Sequence, residues 1–332
     1  MTERLVFATR GSRLALAQTE AVAQDLRAAW PEREIEVVLE IVRTRGDDLL
    51  DRPIEGIGKG IFVKEVQAAV LEGRADVAVH SFKDLPTDAT PGLKIAAVPP
   101  RADPRDVLVS RSGKVLAYLP EGTRVGTGSG RRGGQLLRRR GDLAVLPMRG
   151  NVDTRLAKLD AGEVDALVLA AAGLDRLGKH DRITEHFDHD QMIPAPGQGA
   201  LALEIRAGDA RTADLLAPLH DAHTGYAVLA ERTCLRALGG GCNVPIGIHA
   251  LTDGDTMAIH GIVLTVDGTR AARMRWSGPW RQAEDLGETL AELLMSIGAR
   301  EILSGRPMPP TQLYATRMPR EYIEGPEGNR AM

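Results

Sequence analysis

Aromatic side chains are scarce. Phe, Tyr and Trp make up 3% of the 332 residues, so aliphatic side chains must build the cores. Cysteine occurs twice, as Cys234 and Cys242. Two thiols exclude a disulfide-stapled scaffold, and their spacing fits no zinc pattern. No apolar stretch approaches the roughly 18 residues of a membrane span. The start MTERLVFATRGS lacks the basic-then-apolar layout of a secretory leader. A cytoplasmic protein without a membrane partner is expected. Charge of one sign is also missing. The formal net charge is -3, which gives no general attraction to nucleic acid. The glycine turn GTGSGRR lacks the Gly-Lys-Ser/Thr ending of a phosphate-binding loop, and it is no dinucleotide fingerprint.

What is present is a rhythm of strands and helices. LVFATRGSRLALAQTEAVAQDLRAAW reads as strand, polar turn and amphipathic helix, and IEVVLEIV as a second strand. IFVKEVQAAVLEGR reads as a helix, and ADVAVHSFKDLP as a buried strand ending in charge. The pattern restarts at TRVGTGSGRRGGQLLRRRG and runs through LAVLPMRGN to VDTRLAKLDAGEVDALVLAAAGLDRLG. Both stretches contain helix end, Gly-x-x-Asp and buried strand, at Gly73 to Asp76 and at Gly162 to Asp165. The expectation is two similar α/β lobes with mainly parallel, doubly wound sheets. Lobe one takes 1–98 and 200–217, and lobe two takes 104–194. Two crossings, AVPPRADPRD and IPAPGQGALALEIR, join them. From about residue 221 the alternation suits antiparallel strands. IGIHALT, MAIHGIVLTVDG and RAARMRWSG, with the long helix pattern WRQAEDLGETLAELLMSIGAREIL, predict a small α+β domain over 221–304. The remainder, 305–332, reads as a loose tail.

Polar and cationic groups collect where strands end, the place where open α/β sheets bind ligands. Arg10 and Ser12 follow the first strand, and Lys83 and Asp84 follow ADVAVHSF. Thr127, Ser129, Arg131 and Arg132 sit on the second glycine turn, with Arg149, Arg155 and Arg176 beyond later strands. Helix starts offer backbone N–H groups to anions, and arginine pairs bidentately with carboxylate or phosphate. A ligand with several negative groups is expected. Asp84 is a lone carboxylate among these cations and so a candidate for acid–base work or cation stabilisation. Plainer readings stand beside these. Arg138, Arg139 and Arg140 read as a solvated helix end, Cys234 as core, and EHFDHD as a surface loop rather than a metal site. Cys242 differs, because LRALGGGCNVPIG sets it on a bare glycine turn, which suits a thiol that carries something bulky.

ATRGSRLALAQ, GKGIFVKEV, ADVAVHSFKDLP, MRGNVDTRLAKL, PAPGQGALALE and GGGCNVPIG occur in this order. Together they resemble the porphobilinogen deaminase (hydroxymethylbilane synthase) family, from about residue 4 to about residue 300. The resemblance implies two lobes like those of periplasmic binding proteins and a third, cysteine-carrying domain. It implies a transferase of porphyrin and heme biosynthesis. Four porphobilinogen molecules would be joined head to tail onto a dipyrromethane cofactor, each with loss of ammonia. Hydrolysis would then release the linear tetrapyrrole. Cys242 would hold the cofactor by a thioether, with room left by Gly239, Gly240 and Gly241. Asp84 would bond pyrrole N–H groups and stabilise the cation formed on deamination. Lys83, Thr127, Ser129, Arg131, Arg132 and Arg155 would hold cofactor carboxylates. Arg10, Ser12, Phe62, Arg149, Arg155, Arg176 and Gln198 would serve substrate and growing oligopyrrole. The stretch 46–60, with Lys59, would form a lid, and the enzyme would be a monomer. Gly128 and Gly130 stand where the family usually has Ser and Leu. Two other classes compete. A non-catalytic two-lobed binder of polyanions leaves Cys242 and Asp84 unexplained, and a cysteine hydrolase lacks a motif pairing histidine with Cys242.

Overall fold

The computed structural model describes residues 2–43, 63–239 and 245–305. Lys59, Phe62, Gly240, Gly241, Cys242, the 46–60 stretch and the tail from 306 lie outside the described residues.

The first sheet holds β1 (Glu3–Arg10), β2 (Ile35–Val42), β3 (Val77–Ser81), β4 (Leu93–Ala97) and β10 (Leu201–Arg206), in the order β2-β1-β3-β10-β4. β1 pairs parallel with β2 and β3, while β10 is antiparallel to both β3 and β4. Four strands therefore run one way and β10 runs against them. The second sheet holds β5 (Asp106–Ser110), β6 (Arg124–Thr127), β7 (Ala144–Pro147), β8 (Ala166–Ala170) and β9 (Glu185–His186), in the order β7-β6-β8-β5-β9. It repeats the plan, with β5 as the reversed strand. The sheets are thus mainly parallel in direction but mixed in pairing. The physical reason is chain routing. β5 and β10 are the strands on which the chain arrives from the other sheet, and each slots in between two strands of its new sheet.

Both faces of the first sheet are buried. Leu5, Phe7, Leu203 and Ile205 pack with Val22 and Leu26 of α1 (Arg13–Ala29) and with Leu215 and Leu216 of α6 (Ala210–Leu216). Ala8 and Ala78 pack on the other face with Val66 and Val70 of α2 (Lys64–Leu71). Each fully buried aliphatic side chain contributes roughly 1.5–3 kcal/mol, which explains the near-continuous apolar strands.

The Gly-x-x-Asp repeat has a structural counterpart. Gly73 and Gly162 turn the chain after their helices at φ of 75° and 78°. Asp76 Oδ2 accepts from Val6 N at 2.8 Å, and Asp165 Oδ2 accepts from Arg124 N at 3.1 Å. An arginine at the end of each reversed strand then reaches the same carboxylate. Arg206 Nη2 lies 3.2 Å from Asp76 Oδ1, and Arg111 Nη2 lies 3.4 Å from Asp165 Oδ1. The Arg124 guanidinium and amide hold the Asp165 carboxyl down at about 2.

The third sheet is antiparallel, β11 (Ile246–Asp253), β12 (Thr256–Leu264) and β13 (Ala271–Pro279) in that order. α7 (Ala222–Ala237) carries the fully buried Cys234, whose thiol is pushed up by burial and then by Glu231. The single long helix expected after Trp280 is broken. α8 (Ala283–Leu294) stops, Gly298 takes φ 113°, and α9 (Arg300–Ser304) resumes.

By packing, the chain forms two compact units. Met1–Gly128, Ala144–Phe187 and Gly197–Gly225 make the first; Ser129–Leu143, Asp188–Pro196 and Tyr226–Met332 make the second. α3 (Gly130–Arg139) therefore goes with the three-stranded sheet rather than with the β6 strand that precedes it. Glycine makes that packing possible: a Cβ on Gly134 would stand 2.6 Å from the Thr265 carbonyl oxygen.

Candidate active site

Within the first unit a pocket opens at the carboxyl ends of β1 and β3, beside the starts of α1 and α2. Its polar lining is Arg10, Ser12, Gln18, His80, Ser81 and Asp84. Val63, Val66 and Val79 contribute apolar wall. Ser12 caps α1, its hydroxyl accepting from Ala15 N at 3.2 Å. Gln18 Nε2 lies 2.9 Å from Ser81 Oγ, tying the first turns of α1 to the end of β3. Asp84 is exposed at the end of a short 3-10 turn, and among the described residues its carboxylate takes part in no hydrogen bond or ion pair. A charge left unspent among donors is available to a ligand.

Behind the pocket wall lies a buried polar chain. Glu204 on β10 and His80 on β3 are each 5% exposed, and Ala202 is the register partner of His80. Two-residue alternation puts Glu204 and His80 on one face of the sheet. His80 Nε2 stands 3.3 Å from Glu204 Oε2. Gln67 Nε2 donates to both oxygens of Glu204, at 3.2 and 2.9 Å.

Around the second sheet the candidates divide. Thr127 is buried at the end of β6, Arg149 is exposed after β7, and Arg155 sits half-buried in α4 (Val152–Asp160). Arg155 Nε donates to the Gly150 carbonyl at 2.8 Å. The turn is tight here: a Cβ on Gly128 would lie 2.7 Å from the Met148 carbonyl oxygen and 3.5 Å from Arg155 Nη2. Arg13 at the start of α1 pairs with Asp153 at the start of α4, at 3.2 Å, which brings the two helix starts together. Arg176, at the end of α5 (Ala171–Arg176), donates to the Gly199 carbonyl at 2.8 Å. Its guanidinium is lowered from the usual range by burial, an effect that Asp175 opposes.

Gln198 is 1% exposed, and its side chain is committed within the protein. Its amide nitrogen donates to the Pro104 carbonyl at 2.7 Å and to Asp106 Oδ1 at 2.8 Å. Its oxygen accepts from Lys83 Nζ at 3.3 Å. Ser129, Arg131 and Arg132 belong to the second compact unit. Ser129 caps α3 by accepting from Arg132 N, and Arg131 Nη1 donates to the Ile193 carbonyl at 2.7 Å. In EHFDHD, Phe187 is buried and His189 stacks on His249 with ring centroids 4.1 Å apart.

Gln18, Ser81, His80 and Glu204 were not picked out from the sequence. Gln18, His80 and Ser81 lie inside the motifs ATRGSRLALAQ and ADVAVHSFKDLP, so position beside Arg10, Ser12 and Asp84 was the available signal. Glu204 closes the motif PAPGQGALALE, but only the reversal of β10 sets it against His80.

An α/β chain with two sheets of one topology, and a donor-rich pocket holding one unspent carboxylate, is the frame of an enzyme for an anionic small molecule. The comparisons with known proteins then make the family plain. Residues 5–214 match the model for porphobilinogen deaminase, dipyromethane cofactor binding domain, and residues 226–296 match porphobilinogen deaminase, C-terminal domain. The porphobilinogen deaminase of Syntrophotalea carbinolica is 48% identical over 310 residues, covering 93% of this chain and 98% of the relative. That of Roseiflexus castenholzii is 49% identical, covering 92% of this chain and 100% of the relative. That of Thermus thermophilus is 49% identical, covering 90% and 98%. The chain belongs to the porphobilinogen deaminase family. It is therefore an enzyme, and the non-catalytic binder is set aside. No helix among the described residues is long and apolar enough to cross a membrane.

The pocket's donor set suits a pyrrole that carries carboxylates: its guanidinium, hydroxyl and amide groups can bind anions, and the unspent Asp84 can accept pyrrole N–H groups.

Proposed function

We propose that this chain joins four porphobilinogen molecules head to tail on a dipyrromethane carried by Cys242, and then releases hydroxymethylbilane. The observation that carries the site assignment is the uncommitted Asp84 carboxylate in a pocket with Arg10 and Ser12. When bound, the dipyrromethane supplies a primer, a nucleophilic pyrrole carbon to which the first unit is joined. Lys83, Thr127, Ser129, Arg131, Arg132 and Arg155 would hold its carboxylates. Arg10, Ser12, Arg149 and Arg176 bind carboxylates of the incoming porphobilinogen.

Asp84 accepts the N–H of that porphobilinogen and keeps its own negative charge. Loss of ammonia leaves positive charge on the methylene carbon and ring nitrogen, and a fixed carboxylate beside them lowers the barrier. Gln198 braces Lys83 against Asp106 and so holds the turn that presents Asp84.

By the same reading the chain has three domains, over 1–98 with 200–217, over 104–194 and over 221–304. It works as a cytoplasmic monomer that binds neither nucleic acid nor membrane. Intact mass and turnover test the function together. The purified protein should carry the mass of two pyrrole units and convert porphobilinogen to hydroxymethylbilane. A bare polypeptide mass in both the parent and Cys242→Ala, with no turnover by the parent, would sink the reading.

A further inference from the structure

We propose that His80 accepts the proton released at each addition, and that Glu204, backed by Gln67, is its positioning residue. The proposal rests on the deaminase activity and concerns a step that Asp84 cannot serve alone.

Each addition breaks the bond between the methylene carbon and the amine nitrogen of a porphobilinogen, and ammonia leaves with the electron pair. A carbon–carbon bond forms from the free α-carbon of the preceding pyrrole to that methylene carbon. The α-carbon then carries both its hydrogen and the new substituent. Its C–H electron pair returns to the ring, and the proton needs an acceptor. A carboxylate that took this proton would lose the charge that stabilises the cation. The two tasks call for two groups in different surroundings. The second group must reach the same pocket and must tolerate becoming positive.

His80 meets both conditions. It lines the pocket that Asp84 lines. Its other side meets a carboxylate that is itself buried, with Nε2 at 3.3 Å from Glu204 Oε2. The contact is off the hydrogen-bond line, as acid–base contacts often are before substrate closes the site. A carboxylate behind an imidazole orients the ring and stabilises the imidazolium that forms. Burying a carboxylate is costly unless it is satisfied, and Gln67 supplies the remaining donor. Asp84 and Arg10 are the charged groups on the pocket side. The accepted proton passes on to ammonia or solvent, which closes the proton balance for the cycle.

The test uses the holoenzyme and its variants His80→Gln, His80→Asn, Glu204→Gln and the double variant His80→Gln with Glu204→Gln. Porphobilinogen deuterated at the α-carbon loses its label when the next unit attaches. His80→Gln should lower kcat by about 10²-fold, leave KM within about threefold and raise the deuterium isotope effect. Glu204→Gln should act in the same direction, and the double variant should be no slower than His80→Gln. Imidazole nitrogen shifts in the resting protein should differ between the parent and Glu204→Gln, a readout independent of turnover. Thermal unfolding identifies a glutamine variant that fails to fold, and His80→Asn then decides. An unchanged isotope effect in the folded His80 variants, or losses that multiply in the double variant, would overturn the assignment. A parent chain that made no hydroxymethylbilane would instead sink the activity itself, while the nitrogen shifts would still report the contact.

Discussion

Asp84 has surroundings that offer donors and claim nothing from it, so its replacement should act on chemistry rather than on folding. Asp84→Ala is expected to lower kcat by at least about 10²-fold, with the unfolding temperature close to the parent's, while Asp84→Glu keeps a small remainder. Steady-state kinetics beside a melting curve checks this, and turnover of Asp84→Ala within tenfold of the parent would rule out the main role. Two other residues contribute to acid stability, and their signs can be worked out. Burial, then the Arg275 charge, pulls His260 down from 6.5 to about 4. The unfolded chain then binds a proton that the folded one refuses, so stability should fall as pH drops from 6.5 toward 4. Asp165 is held at about 2 against an ordinary 3.8, so the stability it contributes is present above 3.8 and is lost as pH falls toward 2. Urea unfolding across this range should show a flatter upper limb in His260→Asn and a flatter lower limb in Asp165→Asn. Identical slopes in the parent and both variants would refute the assignments.

Helix contacts depend on glycine in ways that composition hides. Gly287 on α8 leaves no space toward α7: a Cβ would stand 2.5 Å from the Ala230 carbonyl oxygen and 3.0 Å from Cys234 N. Gly287→Ala should cost about 1–3 kcal/mol or more by overpacking, read from the denaturation midpoint. A midpoint equal to the parent's would mean that the two helices separate freely. The strands and helices themselves were legible in the sequence, because apolar alternation, polar turns and Gly-x-x-Asp repeats leave local marks. What stayed hidden was non-local. No local pattern tells that β5 and β10 run backwards, or that α3 packs with the three-stranded sheet rather than following β6. The break at Gly298 was masked by an apolar period that continues through it. At the site, Arg10, Ser12 and Asp84 were readable from charge at strand ends, and the pocket brings them together. The buried commitment of Gln198 and the partnership of His80 with Glu204 need the register of β10 and could not be read.

Across the molecule, cations spread over many elements imply a division of labour. Charge-assisted pairs contribute roughly 1.5–3 kcal/mol each, enough to stall one step without unfolding the chain. Arg131→Leu and Arg132→Leu are expected to yield bare protein mass, whereas Arg149→Leu and Arg176→Leu keep the cofactor and pile up partly extended species. Mass spectrometry after brief exposure to porphobilinogen reads this directly, and one common ladder for all four would refute it. The placement of β10 also reaches back to the time of synthesis. This strand lies between β3 and β4, yet about 100 residues separate Ala97 from Leu201. At ordinary elongation speeds the ribosome needs roughly 5–20 s to deliver them. Through that interval β3 and β4 cannot take their final places, and the apolar flank of β3 stays open to strangers. Codon changes that slow translation between those positions should therefore raise aggregation of the nascent chain without altering one amino acid.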